Sequence, residues 1–182
     1  LSSLDDLELI VHGAGLPEVT PLPDTVVGSD REAYESMLVS PEGTYRVASS
    51  HQLYNFGTLW LSAGDEMNVK STETTRPGPD ADAIAAENRA ERILLDDGWS
   101  LQVTNGNHPG EQPYFTKDAV VRAGDAVVFP EQPYVLGYGF DDWRLQPLIP
   151  IDDESPAEYK PTFEALNERP QDAPEVGGDA QI

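Results

Sequence analysis

Cysteine is absent from the 182 residues. That removes disulfides, thiolate nucleophiles and cysteine-based zinc sites together. Basic residues are scarce: Lys and Arg total 11 against 33 Asp and Glu, a formal net charge of −22. Nucleic-acid phosphates are densely negative and are normally held by clustered Lys or Arg. A free-standing DNA-binding role is therefore disfavoured, as is adsorption to anionic membrane surfaces. The excess acidity is read as serving solubility. No apolar run approaches the roughly 20 residues that span a bilayer, so no membrane insertion is expected, and no basic-then-apolar signal peptide stands at the start.

Catalytic patterns are missing too. There is no Gly-x-Ser-x-Gly elbow. Asn105-Gly106-Asn107-His108-Pro109-Gly110 is turn-rich but lacks the Lys-Ser/Thr ending of a phosphate loop. The three histidines, His12, His51 and His108, include no i, i+4 pair and read as exposed loop residues. Asp80-Ala81-Asp82-Ala83-Ile84 begins like a Ca²⁺ loop and fails at its fifth position. The acidic clusters Asp5-Asp6, Asp96-Asp97, Asp141-Asp142 and Asp152-Asp153-Glu154 are neighbours in sequence. General acid–base work needs carboxyls with divergent environments across a cleft. Asp96-Asp97-Gly98 and Asp141-Asp142 are read as turn positions, where Asp bonds nearby backbone. No catalytic residue, metal ligand or cofactor is assigned to this chain.

Proline (16) and glycine (15) are plentiful and favour short strands and turns. Residues 1–30 hold one strand candidate, Leu7 to Val11, and a Pro-rich stretch. They read as the end of a preceding module and a linker. Residues 31–150 carry the β signals: Tyr34 to Val39, Thr44 to Ala48, Leu59 to Leu61, and Met67 to Lys70 as a continuation. Val120-Val121 and Ala126 to Phe129 flank Ala123-Gly124-Asp125 as one hairpin pattern. Tyr134 to Tyr138 and Trp143 to Ile149 form a second. One stretch breaks the pattern: Ala81 to Arg92 has five alanines and no glycine or proline, which predicts a helix with Asp80 as its N-cap. Strands, one helix, then strands suit a mostly β domain, an OB-like small barrel with extended N- and C-terminal segments. Residues 151–182 have nine acids against two bases. They read as an acidic linker, with Ala157 to Leu166 as a strap across the domain.

The aromatics Tyr45, Trp60, Phe129, Tyr134, Tyr138, Phe140 and Trp143 fall on strand or hairpin positions. They read mainly as core and hairpin residues, because the cations Arg46, Lys117, Arg122 and Arg144 are scattered. The alternative is a stacking platform for single strands or sugars. Its candidate binding residues are Arg46, Trp60, Tyr138, Trp143 and Arg144.

Several stretches, taken in order, resemble one family: multidomain bacterial extracellular nucleases with a DNase I-like endonuclease/exonuclease/phosphatase domain. They are Tyr34-Glu35-Ser36-Met37-Leu38-Val39, Phe56-Gly57-Thr58-Leu59-Trp60-Leu61-Ser62, Asn88-Arg89 through Arg92 to Gly98, Arg122 to Val127, and Trp143-Arg144-Leu145-Gln146-Pro147. Gly15-Leu16-Pro17 resembles the linker leaving a preceding OB-type module, and Glu168-Arg169-Pro170 to Val176-Gly177-Gly178 resembles the stretch before the first catalytic strand. Asn55 stands where relatives often carry Arg, and Asp142-Trp143 where they carry Gly-Tyr. The resemblance covers roughly residues 15–180 and implies a non-catalytic accessory domain of a secreted or cell-surface nuclease. The implied roles are contact with the downstream nuclease domain and help in presenting nucleic acid. The divalent metal for phosphodiester cleavage is then expected in a catalytic domain absent from this chain. A stand-alone nucleic-acid or glycan binding module is the alternative.

Overall fold

A computed structural model describes residues 13–116, 120–166 and 172. Leu7 to Val11, Asp5-Asp6, His12 and Lys117 lie outside the described residues, as does nearly all of the 168–178 tail. The chain is mostly β. One nine-stranded sheet curls into a half-barrel. Its strands are β1 (Thr20–Pro23), β2 (Leu38–Glu42), β3 (Tyr45–Ser49), β4 (Leu59–Ala63), β5 (Arg92–Leu95), β6 (Ala126–Val128), β7 (Tyr134–Gly139), β8 (Asp142–Pro147) and β9 (Thr162–Glu164). Their spatial order is β1-β2-β7-β8-β5-β4-β3-β6-β9. Two short helices, α1 (Leu53–Phe56) and α2 (Ser71–Thr74), and one longer helix, α3 (Pro79–Glu91), fill the connections.

The register explains the core. Successive residues of a strand face opposite sides of a sheet. Leu59 pairs with Leu95, Leu95 with Leu145 and Leu145 with Leu136, so one row of leucines crosses four strands. All four are fully buried, and each such side chain contributes about 1.5–3 kcal/mol of hydrophobic stabilisation. Tyr45, Phe129 and Tyr134 extend this core as edge-to-face neighbours, with ring centroids 5.2 and 5.7 Å apart. A one-residue slip would turn the whole row outward, so burial fixes the register.

The 134–147 hairpin and the alanine-rich helix form where the sequence places them. Other expectations need correction. Asp80 does not cap α3: Pro79 occupies the first turn, which moves the N-cap back to Gly78. Proline suits that place because its missing N–H has no intrahelical acceptor there. Val120-Val121 form no strand against β6, which pairs instead with β3 and β9. Met67 to Lys70 are not a strand, and residues 28–34 form a 3-10 turn before β2. The sheet also extends past both edges of the 31–150 block, since β1 pairs with β2 and β9 with β6.

Helix α3 buries only Ala81, so apolar packing does little to hold it. Its C-terminus is instead gripped by Arg31, whose side chain is 1 % exposed. The guanidinium donates to the carbonyls of Ala90 (3.1 Å), Glu91 (2.9 Å) and Arg92 (2.6 Å), and its Nε donates to Val26 O (3.1 Å). A cation there satisfies orphan carbonyls and faces the negative end of the helix dipole. Burial pulls the Arg31 pKa down to about 10, against the opposing pull of Tyr45 and Glu91.

Candidate cleft on the outer sheet face

The face opposite the leucine row mixes polar and apolar side chains. Trp60 pairs with Leu94, Leu94 with Arg144 and Arg144 with Gly137, so these residues form the complementary row across the same four strands. Over this face lies a cleft of about 680 Å³. Its floor is Leu94, Asp96, Arg144 and Gln146, with Thr58 and Asp142 beside them. Phe56, Trp99, Leu101 and Phe140 form its rim. That volume falls within the usual range for small-ligand sites, about 300–1,000 Å³.

Charges in the cleft are paired. Arg144 Nη1 donates to Asp96 Oδ2 (2.9 Å), and Arg92 donates to Asp142. Arg92 also stacks on Trp60, 3.9 Å from the ring centroid. The second oxygen of Asp96 accepts the Gly98 amide (2.9 Å). Burial raises the Asp96 pKa, while the Gly98 amide and Arg144 pull it back. Several polar atoms in and beside the cleft have no hydrogen-bond partner: Thr58 Oγ1, Trp60 Nε1 and the Nε atoms of Arg92 and Arg144. Thr58 is 4 % exposed.

The rim residue Phe140 is 93 % exposed. It sits at φ 56°, and Asp141 follows at φ 64°. The β7–β8 turn therefore has both central residues in the left-handed region, as a type I′ hairpin requires, without the usual Asn or Gly. For a bulky aromatic this conformation is costly.

Beneath the cleft a second pair lies in the interior. Asp96-Asp97 do make the expected turn bonds: Asp97 Oδ1 accepts the Trp99 amide (2.9 Å), in parallel with Asp96 and Gly98. Both aspartates are nevertheless buried. Asp97 Oδ2 lies 3.3 Å from His108 Nε2, and the His108 side chain is 1 % exposed. His108 is thus not an exposed loop residue, whereas His51 is exposed. His108 Nδ1 meets the Gly110 carbonyl, and its ring packs edge-on to Trp99 at 5.8 Å. Burial raises the Asp97 pKa to about 6; the Trp99 amide and His108 oppose that rise, and Asp96 adds to it. Gly57 must be glycine here. It has φ 63°, and a Cβ on it would overlap Asp97 Oδ2.

Of the five residues singled out in the sequence, Arg144 lines the cleft. Trp60 lies beside it under Arg92. Arg46 is on β3, where its Nε donates to Asp65 O (2.9 Å). Trp143 is buried in the core and meets Tyr138 at 5.0 Å on the opposite face of the hairpin. The aromatics therefore divide between core and rim and form no continuous platform. Sequence reasoning missed Thr58, Asp96, Trp99 and Gln146 as cleft residues. Only the outward parity of Asp142, Arg144 and Gln146 along β8 could have pointed to this face. Among the described residues, no group of three or more His, Asp or Glu is placed to hold a metal ion, and no helix is long and apolar enough to cross a membrane. Set against protein-family models, curated proteins and solved structures, the chain finds no match.

Proposed function

We propose that this chain is a non-catalytic accessory module that binds a ligand in the β4–β5–β8 cleft. The observation that carries this reading is the lattice Arg92–Asp142 and Arg144–Asp96. A buried, perturbed carboxyl in a cleft ordinarily suggests catalysis. Here the Gly98 amide and Arg144 each bind one oxygen of Asp96 and pull its raised pKa back, a tethering that suits structural pairing more than proton transfer. The lattice fixes donors and acceptors in place without leaving a reactive group.

The collinear motif series suggests the setting: a secreted or cell-surface nuclease of the endonuclease/exonuclease/phosphatase family, with its metal and catalytic residues in a separate domain. In that setting the half-barrel is an OB-like domain that also positions its catalytic neighbour. The test is direct. The purified chain incubated with DNA and Mg²⁺ or Ca²⁺ is expected to leave the DNA intact. Metal-dependent cleavage that persists through stringent purification overturns the reading. Presentation of nucleic acid is a second reading, favoured by the stacking of Arg92 on Trp60. It predicts single-strand affinity that is greatest at low salt.

A further inference from the structure

We infer that the cleft over β4, β5 and β8 takes a neutral, hydroxyl-rich ligand, a saccharide, with Phe140 as its stacking ring. The inference rests on reading the cleft as a binding site. Charge is the first argument. Arg144 is matched by Asp96 and Arg92 by Asp142, so the two arginines bring no net positive charge to the cleft. An anionic phosphate would meet arginines already neutralised by carboxylates, in a chain of net charge −22. Beside Asp96 and Asp142 an anion would also face like-charge repulsion. A neutral ligand leaves both pairs intact.

Hydrogen-bond inventory is the second argument. A sugar hydroxyl both donates and accepts. The Arg144 side chain is 21 % exposed and carries donors beyond the one that holds Asp96. Gln146 adds an amide, and Asp142 adds a carboxylate next to Arg144. A ring of hydroxyls supplies both kinds of partner at once. A purely apolar ligand would leave them all unsatisfied.

Phe140 is the third. Its ring is nearly fully exposed, at the cleft rim, on a backbone that disfavours it. Strain of this kind is retained mainly at sites that use it. The Arg144 guanidinium carbon lies 5.7 Å from the ring centroid, so one face of the ring is near the floor charges. An exposed aromatic face beside a donor–acceptor floor suits a pyranose, which has an apolar C–H face and a polar edge.

The experiment follows tryptophan fluorescence, with Trp99 at the rim and Trp60 beside the floor. The whole chain is titrated separately with maltose, cellobiose, lactose and N,N′-diacetylchitobiose, and with thymidine monophosphate and inorganic phosphate as anionic probes. The expected result is a saturable response to at least one disaccharide, with a dissociation constant in the millimolar range or tighter. That response is insensitive to added salt, since no net charge is exchanged. Phe140→Ala, at a position too exposed to unfold the protein, weakens it by about tenfold or more. Gln146→Met, which keeps the size and removes the amide, weakens it. Silence towards all four disaccharides overturns the inference, as does an equal response from Phe140→Ala. A salt-sensitive response to the anionic probes alone also overturns it, while leaving the cleft as a binding site. Nuclease activity of the chain would overturn the non-catalytic reading separately, without bearing on sugar affinity.

Discussion

His108 Nε2 faces Asp97 Oδ2 at 3.3 Å, with both side chains almost wholly enclosed. His108 Nδ1 lies against both the carbonyl and the amide N–H of Gly110, the amide at 3.3 Å, so one residue holds the ring at two points. Enclosure of the pair is what raises the Asp97 pKa, and His108 beside it opposes that rise.

The pH dependence of stability follows from this. Burial raises the folded Asp97 value to about 6, above its ordinary 3.8. Between those values the folded state binds more protons than the unfolded state. The contribution of Asp97 is therefore fullest below the unfolded value and is lost as pH rises through about 6. Asp97→Asn removes that slope. The amide oxygen still accepts from Trp99, and the amide nitrogen faces the His108 ring. Urea denaturation from pH 4 to pH 8 is expected to show a flatter profile for the variant, with its advantage over the wild type greatest at neutral pH. Equal slopes for the two proteins would refute this account.

Gly57 and Gly106 separate strain from crowding. Both have positive φ, 63° and 68°, but a Cβ on Gly106 meets nothing within 4 Å whereas one on Gly57 meets Asp97. Gly106→Ala is expected to cost only the left-handed conformation, about 1 kcal/mol. Gly57→Ala adds displacement of a buried carboxylate and should cost about 3 kcal/mol or more. Comparing the two denaturation midpoints tests the difference.

Removal of Arg31 should loosen α3. Arg31→Met keeps the stem and deletes the fork, leaving the carbonyls of Ala90, Glu91 and Arg92 without that donor. A loss of about 3 kcal/mol is expected, since each buried unpaired group costs about 1–3. Hydrogen exchange should rise first in the last turn of α3. Arg31→Lys recovers part of the stability but lacks the planar fork.

The turn at Phe140-Asp141 gives the fourth prediction. Replacing the pair with Asn-Gly suits both positive-φ positions. A gain of about 1 kcal/mol in stability is expected from relieved strain. Disaccharide binding should fall in the same variant, so stability and binding move in opposite directions.

Elements governed by local pattern were legible in the sequence. Alternating apolar residues on either side of residues 139–142 specify the hairpin, and the alanine run specifies the helix. Contacts between distant residues were not legible. Nothing local marks His108 as interior: Asn105-Gly106-Asn107 reads as a surface turn, while Asp97, eleven residues away, and the Trp99 ring draw the imidazole inward. Arg31 likewise looks like a surface cation until the end of α3, about sixty residues on, is folded against it. The cleft itself was invisible for the same reason. Its floor joins β5 to β8, so Asp96 and Arg144 meet across 48 residues of chain.

That parallel pairing also orders events in time. The β7–β8 hairpin can zip from its own turn, whereas β5 must close a loop of about fifty residues to reach β8. Closing that loop is entropically costly, and contacts of such wide separation slow folding. The Asp96–Arg144 floor should therefore be among the last features to form during refolding. Recovery of ligand binding would then lag behind recovery of hairpin structure, and a nascent chain would have no cleft until residue 144 had emerged.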